Sequence, residues 1–238
     1  MSISARLAAL RSRIDAAARR AGRSEGAVEI LAVSKTVAVE RLLEALDAGI
    51  TAFGENRVQE LEEKRAALAL LRPSAAPRWE LIGPLQSNKA RRAVAVADRI
   101  STVDRLELVE MLARLARERG SAIHIALQVN VDGDPAKAGF DPASLRSALQ
   151  SIGSLVRTGA LCVDGLFTVG RLVATAEEAR PTFARLREIA SEAREAAEAD
   201  GWEIGSLLSM GMSGDFEVAI EEGATQVRLG SAIFGART

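Results

Sequence analysis

The feature of this sequence that most constrains its fold is a regular alternation of short apolar runs with segments of helical periodicity. Eight runs of about four to eight residues have the composition of buried strands, and each is followed by a helix or a helical turn. The predicted strands are Val28–Val33, Ile50–Phe53, Trp79–Ile82, Arg99–Thr102, Ile123–Asn130, Leu161–Phe167, Ser206–Ser209 and Gln226–Leu229. This order predicts a parallel sheet, and eight such units match a (β/α)8 TIM barrel. A doubly wound open sheet is the alternative.

The organisation of the chain favours one domain. No linker or low-complexity block divides it, so residues 1–238 are predicted to form a single barrel. The first twenty residues contain five arginines and one acid, as in a transit peptide. However, Ile3, Leu7, Leu10 and Ile14 form one apolar helical face. We therefore predict an extra N-terminal helix packed on the barrel.

The composition excludes several classes of function. The net charge of −1 gives no electrostatic surface for nucleic acid or an anionic membrane, and no segment is long enough to cross a bilayer. The single cysteine, Cys162, fits a reduced cytoplasmic setting. The single histidine, His124, is interpreted as a structural strand residue, so a metal site is not expected. The chain has no tyrosine, so no phenol can act as an acid or base.

Lys35 stands where the first apolar run stops, although lysine is depleted in strands. One interpretation is snorkelling, in which the stem packs and the ammonium reaches water. The other is an imine-forming lysine, whose amine becomes nucleophilic through partial desolvation and nearby cations. The strand alone does not decide between them.

Two glycine-rich segments follow predicted strands seven and eight, where TIM barrels usually bind phosphate. They are Ser209–Asp215 and Arg228–Ser231. Their glycines allow close backbone approach to an anion, and Ser213 and Ser231 add hydroxyl donors. Arg228 is either a salt-bridged barrel residue or a cation beside the ligand. An imine lysine, a phosphate cradle and an arginine between them indicate pyridoxal 5′-phosphate (PLP), with Arg228 at the pyridine nitrogen.

Several motifs resemble those of the pyridoxal-phosphate homeostasis proteins of the YggS/PROSC type. The motifs are Leu31–Thr36 (LAVSKT), Phe53–Glu60 (FGENRVQE), Ile82–Lys89 (IGPLQSNK), Gln128–Gly139 (QVNVDGDPAKAG), Gly165–Phe167 (GLF) and Leu208–Arg237, which contains LSMGMSGDFEVAI and VRLGSAIFGAR. The resemblance spans nearly the whole chain in order. It implies a single barrel like the amino-terminal domain of alanine racemase, PLP held as an imine, and a role in balancing PLP and amino-acid pools without established turnover.

The resemblance also implies roles for individual residues. Lys35 is expected to be the imine lysine and Arg228 the partner of the pyridine nitrogen. The remaining expected cofactor-binding residues are Asn56, Met210, Ser213, Gly230 and Ser231, of which Ser213, Gly230 and Ser231 hold the phosphate. An arginine at the pyridine nitrogen weakens the electron sink that stabilises carbanions. The chain departs from the family pattern at Glu80, where histidine is usual, and the role of that position is open.

Two enzymatic alternatives use the same lysine. A racemase of the alanine-racemase kind needs a tyrosine on the opposite face of the cofactor, which this chain lacks; Cys162 is the conceivable substitute. A lysine-imine aldolase needs an acid or base near Lys35. Glu55 is the candidate, although it is expected to cap the helix after strand two. We expect a monomer, with PLP-dependent apoenzymes as potential recipients of the cofactor.

Overall fold

The computed structural model describes residues 1–171 and 173–235, and its central feature is a closed parallel barrel. The strands are β1 (Glu29–Val33), β2 (Ala52–Glu55), β3 (Arg78–Leu81), β4 (Arg99–Val103), β5 (Ile123–Gln128), β6 (Leu161–Phe167), β7 (Leu207–Met212) and β8 (Gln226–Leu229). Each strand pairs with its neighbours in chain order, and β8 pairs with β1. This closure confirms the (β/α)8 prediction, and the open-sheet alternative is wrong.

Helices cover the outside of the barrel. They are α1 (Ile3–Arg20), α2 (Val39–Asp47), α3 (Val58–Leu71), α4 (Ala90–Val96), α5 (Leu106–Arg119), α6 (Pro142–Arg157), α7 (Arg180–Ala199), α8 (Phe216–Glu221) and α9 (Ser231–Phe234). The strands are largely buried because helices cover one face and the barrel interior the other. Within the described ranges, no helix combines the length and the apolar character needed to cross a bilayer.

The main boundary errors of the sequence analysis lie at the site-facing ends of two strands. The predicted second strand ends at Phe53, but Gly54 and Glu55 also belong to β2, which pairs with β3 through Glu55. β7 continues to Met212, three residues beyond the predicted end. In both cases ladder pairing with a neighbouring strand overrides the local glycine signal.

The extra N-terminal helix is present as predicted, and it joins the two ends of the chain. Its apolar face is buried, while arginines on the adjoining surface reach the last helices. Arg13 pairs with Glu217 at 2.8 Å and Arg20 pairs with Glu221 at 2.7 Å, both on α8. The basic composition of this segment therefore serves packing within the domain.

Candidate functional site

Lys35 lies in the turn between β1 and α2, at the mouth formed by the carboxyl ends of the strands. It is half-buried and lines a cavity of about 420 Å³ together with Gly230 and Ser231. The barrel closure explains this grouping, because Ala32 of β1 pairs with Leu229 of β8 and the segments after them become neighbours. The cavity volume falls within the range of roughly 300–1,000 Å³ that is usual for small-molecule sites.

The charged side chains among the described residues of this cavity lining are both cationic. They are Lys35 and Arg41, the latter from α2. Arg41 donates from Nη2 to the carbonyl oxygen of Phe234 at 3.1 Å, and its Nε lies 3.8 Å from the carboxylate of Glu44. Because the described lining contains two cations and no acidic residue, the cavity favours an anionic ligand. No local sequence pattern marks Arg41, because its partner Phe234 lies 193 residues away.

Arg228 is buried inside the upper part of the barrel and spans three strands. Its Nη1 donates to the carbonyl oxygen of Ser209 at 2.7 Å, and its Nη2 donates to that of Thr168, also at 2.7 Å. Its Cζ lies 4.2 Å from the ring centroid of Phe167. Burial lowers the pKa of Arg228 to about 10, while the charges of Asp215 and Glu80 act in the opposite direction. The side chain is therefore a cation at neutral pH, held in hydrogen bonds by neutral oxygens.

A chain of hydrogen bonds continues from Arg228 down the barrel interior. Arg228 donates to Ser209 Oγ at 3.2 Å, and Ser209 Oγ donates to Gln226 Oε1 at 2.7 Å. Gln226 Nε2 in turn donates to Glu80 Oε1 at 2.8 Å. Glu80 is fully buried and also accepts hydrogen bonds from Arg78, Arg99 and Ser101. Glu80 therefore anchors the polar interior beneath Arg228.

Two predicted cofactor-binding residues lie in β7 and directly after it, and they differ in burial. Met210 is a fully buried strand residue, whereas Ser213 is half-buried in the turn that follows. Asp215 closes this turn, because its Oδ1 accepts the Met212 N–H at 2.6 Å. Met212 pairs with Arg228 of β8, so the turn lies beside the Arg228 end of the site.

Asn56 follows β2 and is half-buried at the same mouth. Its backbone packs under Gly83, where an added Cβ would lie 2.1 Å from the Asn56 carbonyl oxygen. This contact ties the end of β2 to the end of β3 and accounts for the glycine.

The predicted residues thus form two groups. Lys35, Gly230 and Ser231 share the 420 Å³ cavity. The other predicted residues lie in or directly after strands that end at the same mouth, but they do not belong to the described lining of that cavity. They are Asn56, Met210, Ser213 and Arg228.

Glu55 does not cap α3, so that expectation is wrong. It is the last residue of β2, and the residue at the N-cap of α3 is Arg57. Glu55 is fully buried, where its Oε1 accepts hydrogen bonds from Ser34 Oγ at 2.7 Å and Lys64 Nζ at 2.8 Å. Burial raises the pKa of Glu55, and the hydrogen bonds from Lys64 and Ser34 oppose that shift. The carboxylate is thus held by residues other than Lys35.

Cys162 and His124 lie toward the opposite end of the barrel. They are the second residues of β6 and β5, and they pair in register. The His124 side chain is exposed and contacts Asp164, with Nδ1 2.8 Å from Oδ1. A cavity of about 570 Å³ opens at this end, lined by His124 among others, but its acidic residues are already engaged: Glu29 by Arg78, Asp164 by Arg99 and Asp98 by Arg65. The Lys35 cavity is therefore the stronger candidate site.

Comparison with known proteins first defines the class. Residues 5–238 match the family model of the alanine racemase N-terminal domain. An alanine racemase from Streptomyces lavendulae has the same fold, with a TM-score of 0.70 and 20% identity over 97% of this chain and 58% of that one. The class is therefore the alanine-racemase-like (β/α)8 barrel.

Full-length relatives then define the family. The pyridoxal phosphate homeostasis protein of Vibrio cholerae is 36% identical, covering 99% of this chain and 97% of that protein. Its counterpart in Pseudomonas aeruginosa is 37% identical, covering 99% and 96%. The structure of PipY from Synechococcus elongatus with PLP bound has a TM-score of 0.84 and 38% identity, covering 98% and 100%. This chain belongs to the pyridoxal phosphate homeostasis protein family.

Proposed function

We propose that this protein binds PLP at the Lys35 mouth and acts in intracellular PLP homeostasis as a carrier, buffer or regulator. The observation that carries the proposal is the position of Lys35, whose amine-bearing side chain shares a cationic cavity with Gly230 and Ser231. The relatives named for PLP homeostasis and the PLP-bound PipY structure support the same ligand. The whole chain, residues 1–238, acts as one PLP-binding unit in this proposal.

The residues at this mouth fit the three functional parts of PLP, which are its aldehyde, its pyridine ring and its phosphate. When bound, PLP supplies an aldehyde that bonds covalently to an amine and a pyridine ring that acts as an electron sink. Lys35 provides the amine, and Gly230 and Ser231 provide backbone and hydroxyl donors for the phosphate, with Ser213 in the neighbouring turn. Arg41 adds a second positive charge to the lining of the cavity, which favours an anionic group such as the phosphate. Asn56 and Met210 complete the proposed surroundings of the cofactor.

Arg228 restricts what the bound cofactor can do. Because it carries a positive charge at neutral pH, it would disfavour a second positive charge on a pyridine nitrogen held beside it. The chain also has no tyrosine, and Cys162 lies near the beginning of its strand, away from the mouth that contains Lys35. We therefore propose binding and release of PLP without amino-acid turnover. The protein acts as a monomer that supplies PLP-dependent apoenzymes.

The test is an absorption spectrum of the protein with PLP, before and after borohydride reduction, followed by mass mapping of the labelled peptide. The chain has four lysines, Lys35, Lys64, Lys89 and Lys137, so the labelled position is unambiguous. We expect a reducible band and a label on Lys35 that Lys35→Ala abolishes. Lys89→Ala is the matched control, because Lys89 is exposed. Absence of the band, or a label confined to another lysine, would overturn the proposal.

Carrier and enzyme are separated by two further measurements. The PLP-loaded protein is incubated with a PLP-dependent apoenzyme, and recovery of that enzyme's activity is compared with recovery from free PLP. The loaded protein alone is incubated with the common amino acids, and racemisation and other loss of substrate are followed. We expect transfer to the apoenzyme without amino-acid turnover. Rapid turnover would instead support the racemase alternative.

A further inference from the structure

The turn that carries Lys35 has an unusual backbone. Thr36, the next residue, has a φ of 63°. Among the residues that the structure describes, it is the only non-glycine residue with a positive φ. This region is unfavourable for a β-branched side chain. Such a conformation persists only when surrounding contacts hold it, so the contacts on either side of Lys35 need an explanation.

The peptide before Lys35 is held by Lys64 of α3. Lys64 Nζ donates to the carbonyl oxygen of Ser34 at 2.6 Å. The same ammonium contacts Glu55 Oε1 at 2.8 Å and Glu60 Oε1 at 2.6 Å. The Lys64 side chain is only 9% exposed, so its contacts with Ser34 and Glu55 are buried, and its contact with Glu60 is partly buried. Lys64 is therefore a buried cation directed at the backbone that precedes Lys35.

The peptide after Lys35 is held by the carboxylate that Lys64 binds. The backbone N–H of Thr36 donates to Glu60 Oε1. Hydrogen bonds from Lys64 and Thr36 lower the pKa of Glu60 against the opposing effect of burial, so this carboxylate is ionised at neutral pH. Glu60 and Lys64 are four residues apart on α3, which places both on one helix face. One face of α3 thus fixes the peptide groups on both sides of Lys35.

A buried charge cluster is a costly way to hold a turn. Desolvating an ammonium and two carboxylates offsets much of their mutual attraction, and neutral groups could supply similar hydrogen bonds. Charge-assisted hydrogen bonds are shorter and more directional, which suits a backbone that must stay in an unfavourable conformation. The cluster joins Glu55 of β2 to Glu60 and Lys64 of α3, and none of these three residues belongs to the described lining of the cavity. The charge cluster is therefore placed to support the turn that carries Lys35.

We propose that Glu60 and Lys64 are positioning residues that hold the Ser34–Lys35–Thr36 turn so that the Lys35 amine is presented to the cavity. This inference rests on the proposed function, because it assigns Lys35 as the residue that captures PLP. Glu60 and Lys64 act through the backbone of the turn and have no contact with the cofactor in this proposal. Loose support for a reactive group commonly reduces its rate by about 10- to 100-fold.

The test measures the rate of covalent PLP capture, followed by the reducible band after rapid mixing, in Glu60→Ala, Glu60→Gln and Lys64→Met. We expect Glu60→Ala and Lys64→Met to slow capture by about 10-fold or more. We expect Glu60→Gln to recover much of the rate, because its side-chain oxygen can still accept the Thr36 N–H. Glu62→Ala is the control on the same helix, since Glu62 pairs with Arg92 at the surface.

Each rate is compared with thermal unfolding, so that loss of the fold is separated from loss of positioning. A folded Glu60→Ala or Lys64→Met protein that captures PLP at the wild-type rate would overturn the inference. If Glu60→Ala does not fold, the rate of Lys64→Met decides. A wild-type protein that forms no reducible band on Lys35 would instead overturn the proposed function, so the two failures are distinguishable.

Discussion

Glu80 and Gln226 are joined across the interior of the barrel by a hydrogen bond of 2.8 Å from the glutamine amide to the carboxylate. The residues belong to β3 and β8, which are not neighbours in the sheet. Arg78 and Arg99 donate to the same carboxylate oxygen at 2.8 Å and 3.0 Å. The interior of the barrel beneath Arg228 therefore contains a connected network of hydrogen bonds. Within it, the Glu80 carboxylate accepts from Gln226, Arg78 and Arg99.

Replacing Glu80 with alanine should be strongly destabilising. The change would remove a fully buried acceptor from Arg99, Ser101 and Gln226, although Arg99 would keep Asp164 and Gln226 would keep Glu29. Leaving buried donors without one of their acceptors costs about 1–3 kcal/mol. Glu80→Gln should cost less, because it retains one oxygen acceptor. Urea unfolding curves measure both effects. Glu110→Gln, on the exposed face of α5, is the control, and equal stability of Glu80→Ala and wild type would contradict the assignment.

The phosphate assignment can be tested with Ser213→Ala and Ser231→Ala, singly and together. A hydrogen bond to a charged group contributes about 1.5–3 kcal/mol, so each change should weaken PLP binding by roughly 10-fold or more. Fluorescence or absorbance titration gives the Kd. Ser147→Ala is the matched control, because Ser147 is exposed and its Oγ donates to Ala143 within α6. Unchanged affinity in the double variant would remove both serines from the site.

Arg41 should discriminate between ligands with and without a phosphate. We expect Arg41→Gln to weaken binding of PLP by about 10-fold while leaving binding of pyridoxal nearly unchanged. Arg41→Lys should retain more of the PLP affinity, since it keeps the charge. Arg146→Gln provides the control, because Arg146 is exposed on α6 and pairs with Glu192. Equal losses for PLP and pyridoxal would show that Arg41 does not read the phosphate.

The ion pairs of Glu221 should make stability depend on pH. A hydrogen bond from Arg180 and the neighbouring charge of Arg20 lower the pKa of Glu221 below its ordinary value of 4.5. Because the folded-state pKa is the lower one, the stabilisation is complete above the unfolded value and is lost as pH falls through the folded value. Glu221→Gln should therefore cost about 1 kcal/mol at neutral pH.

This difference should shrink as the pH is lowered below the ordinary carboxyl pKa of 4.5. Urea unfolding of wild type and Glu221→Gln at neutral pH and at about pH 3 measures the change. High salt at neutral pH should also reduce the difference, since these groups are partly exposed. A difference that stays constant with pH would contradict an electrostatic origin.

The sequence predicts the barrel and part of the site because both follow from local pattern. Strand–helix alternation requires only local periodicity, and Lys35 is conspicuous because it interrupts an apolar run. Gly230 and Ser231 follow from the general position of phosphate segments in these barrels. The structure confirms the barrel and brings Lys35, Gly230 and Ser231 to one cavity, while their roles toward the cofactor stay predictions.

The other parts of the site depend on partners that are distant in sequence. Arg41 contacts Phe234, and Glu80 contacts Gln226 across 146 residues, so no local pattern reveals either pair. Glu60 and Lys64 have ordinary i,i+4 spacing, which is typical of an exposed helix face. Only the fold shows that this pair is turned inward against the Lys35 turn. The positive φ of Thr36 is likewise a property of the assembled structure.

The pairing of β1 with β8, together with the contacts of α1 with α8, has a consequence for how the protein is made. A ribosome completes the first strand and its lysine long before it delivers the last strand and the serine of the cavity. Contacts over such long separations form late in folding. A nascent or truncated chain thus has Lys35 without Gly230 and Ser231, which line the same cavity in the folded protein. Under the proposed function, only the completed barrel would present the whole PLP site.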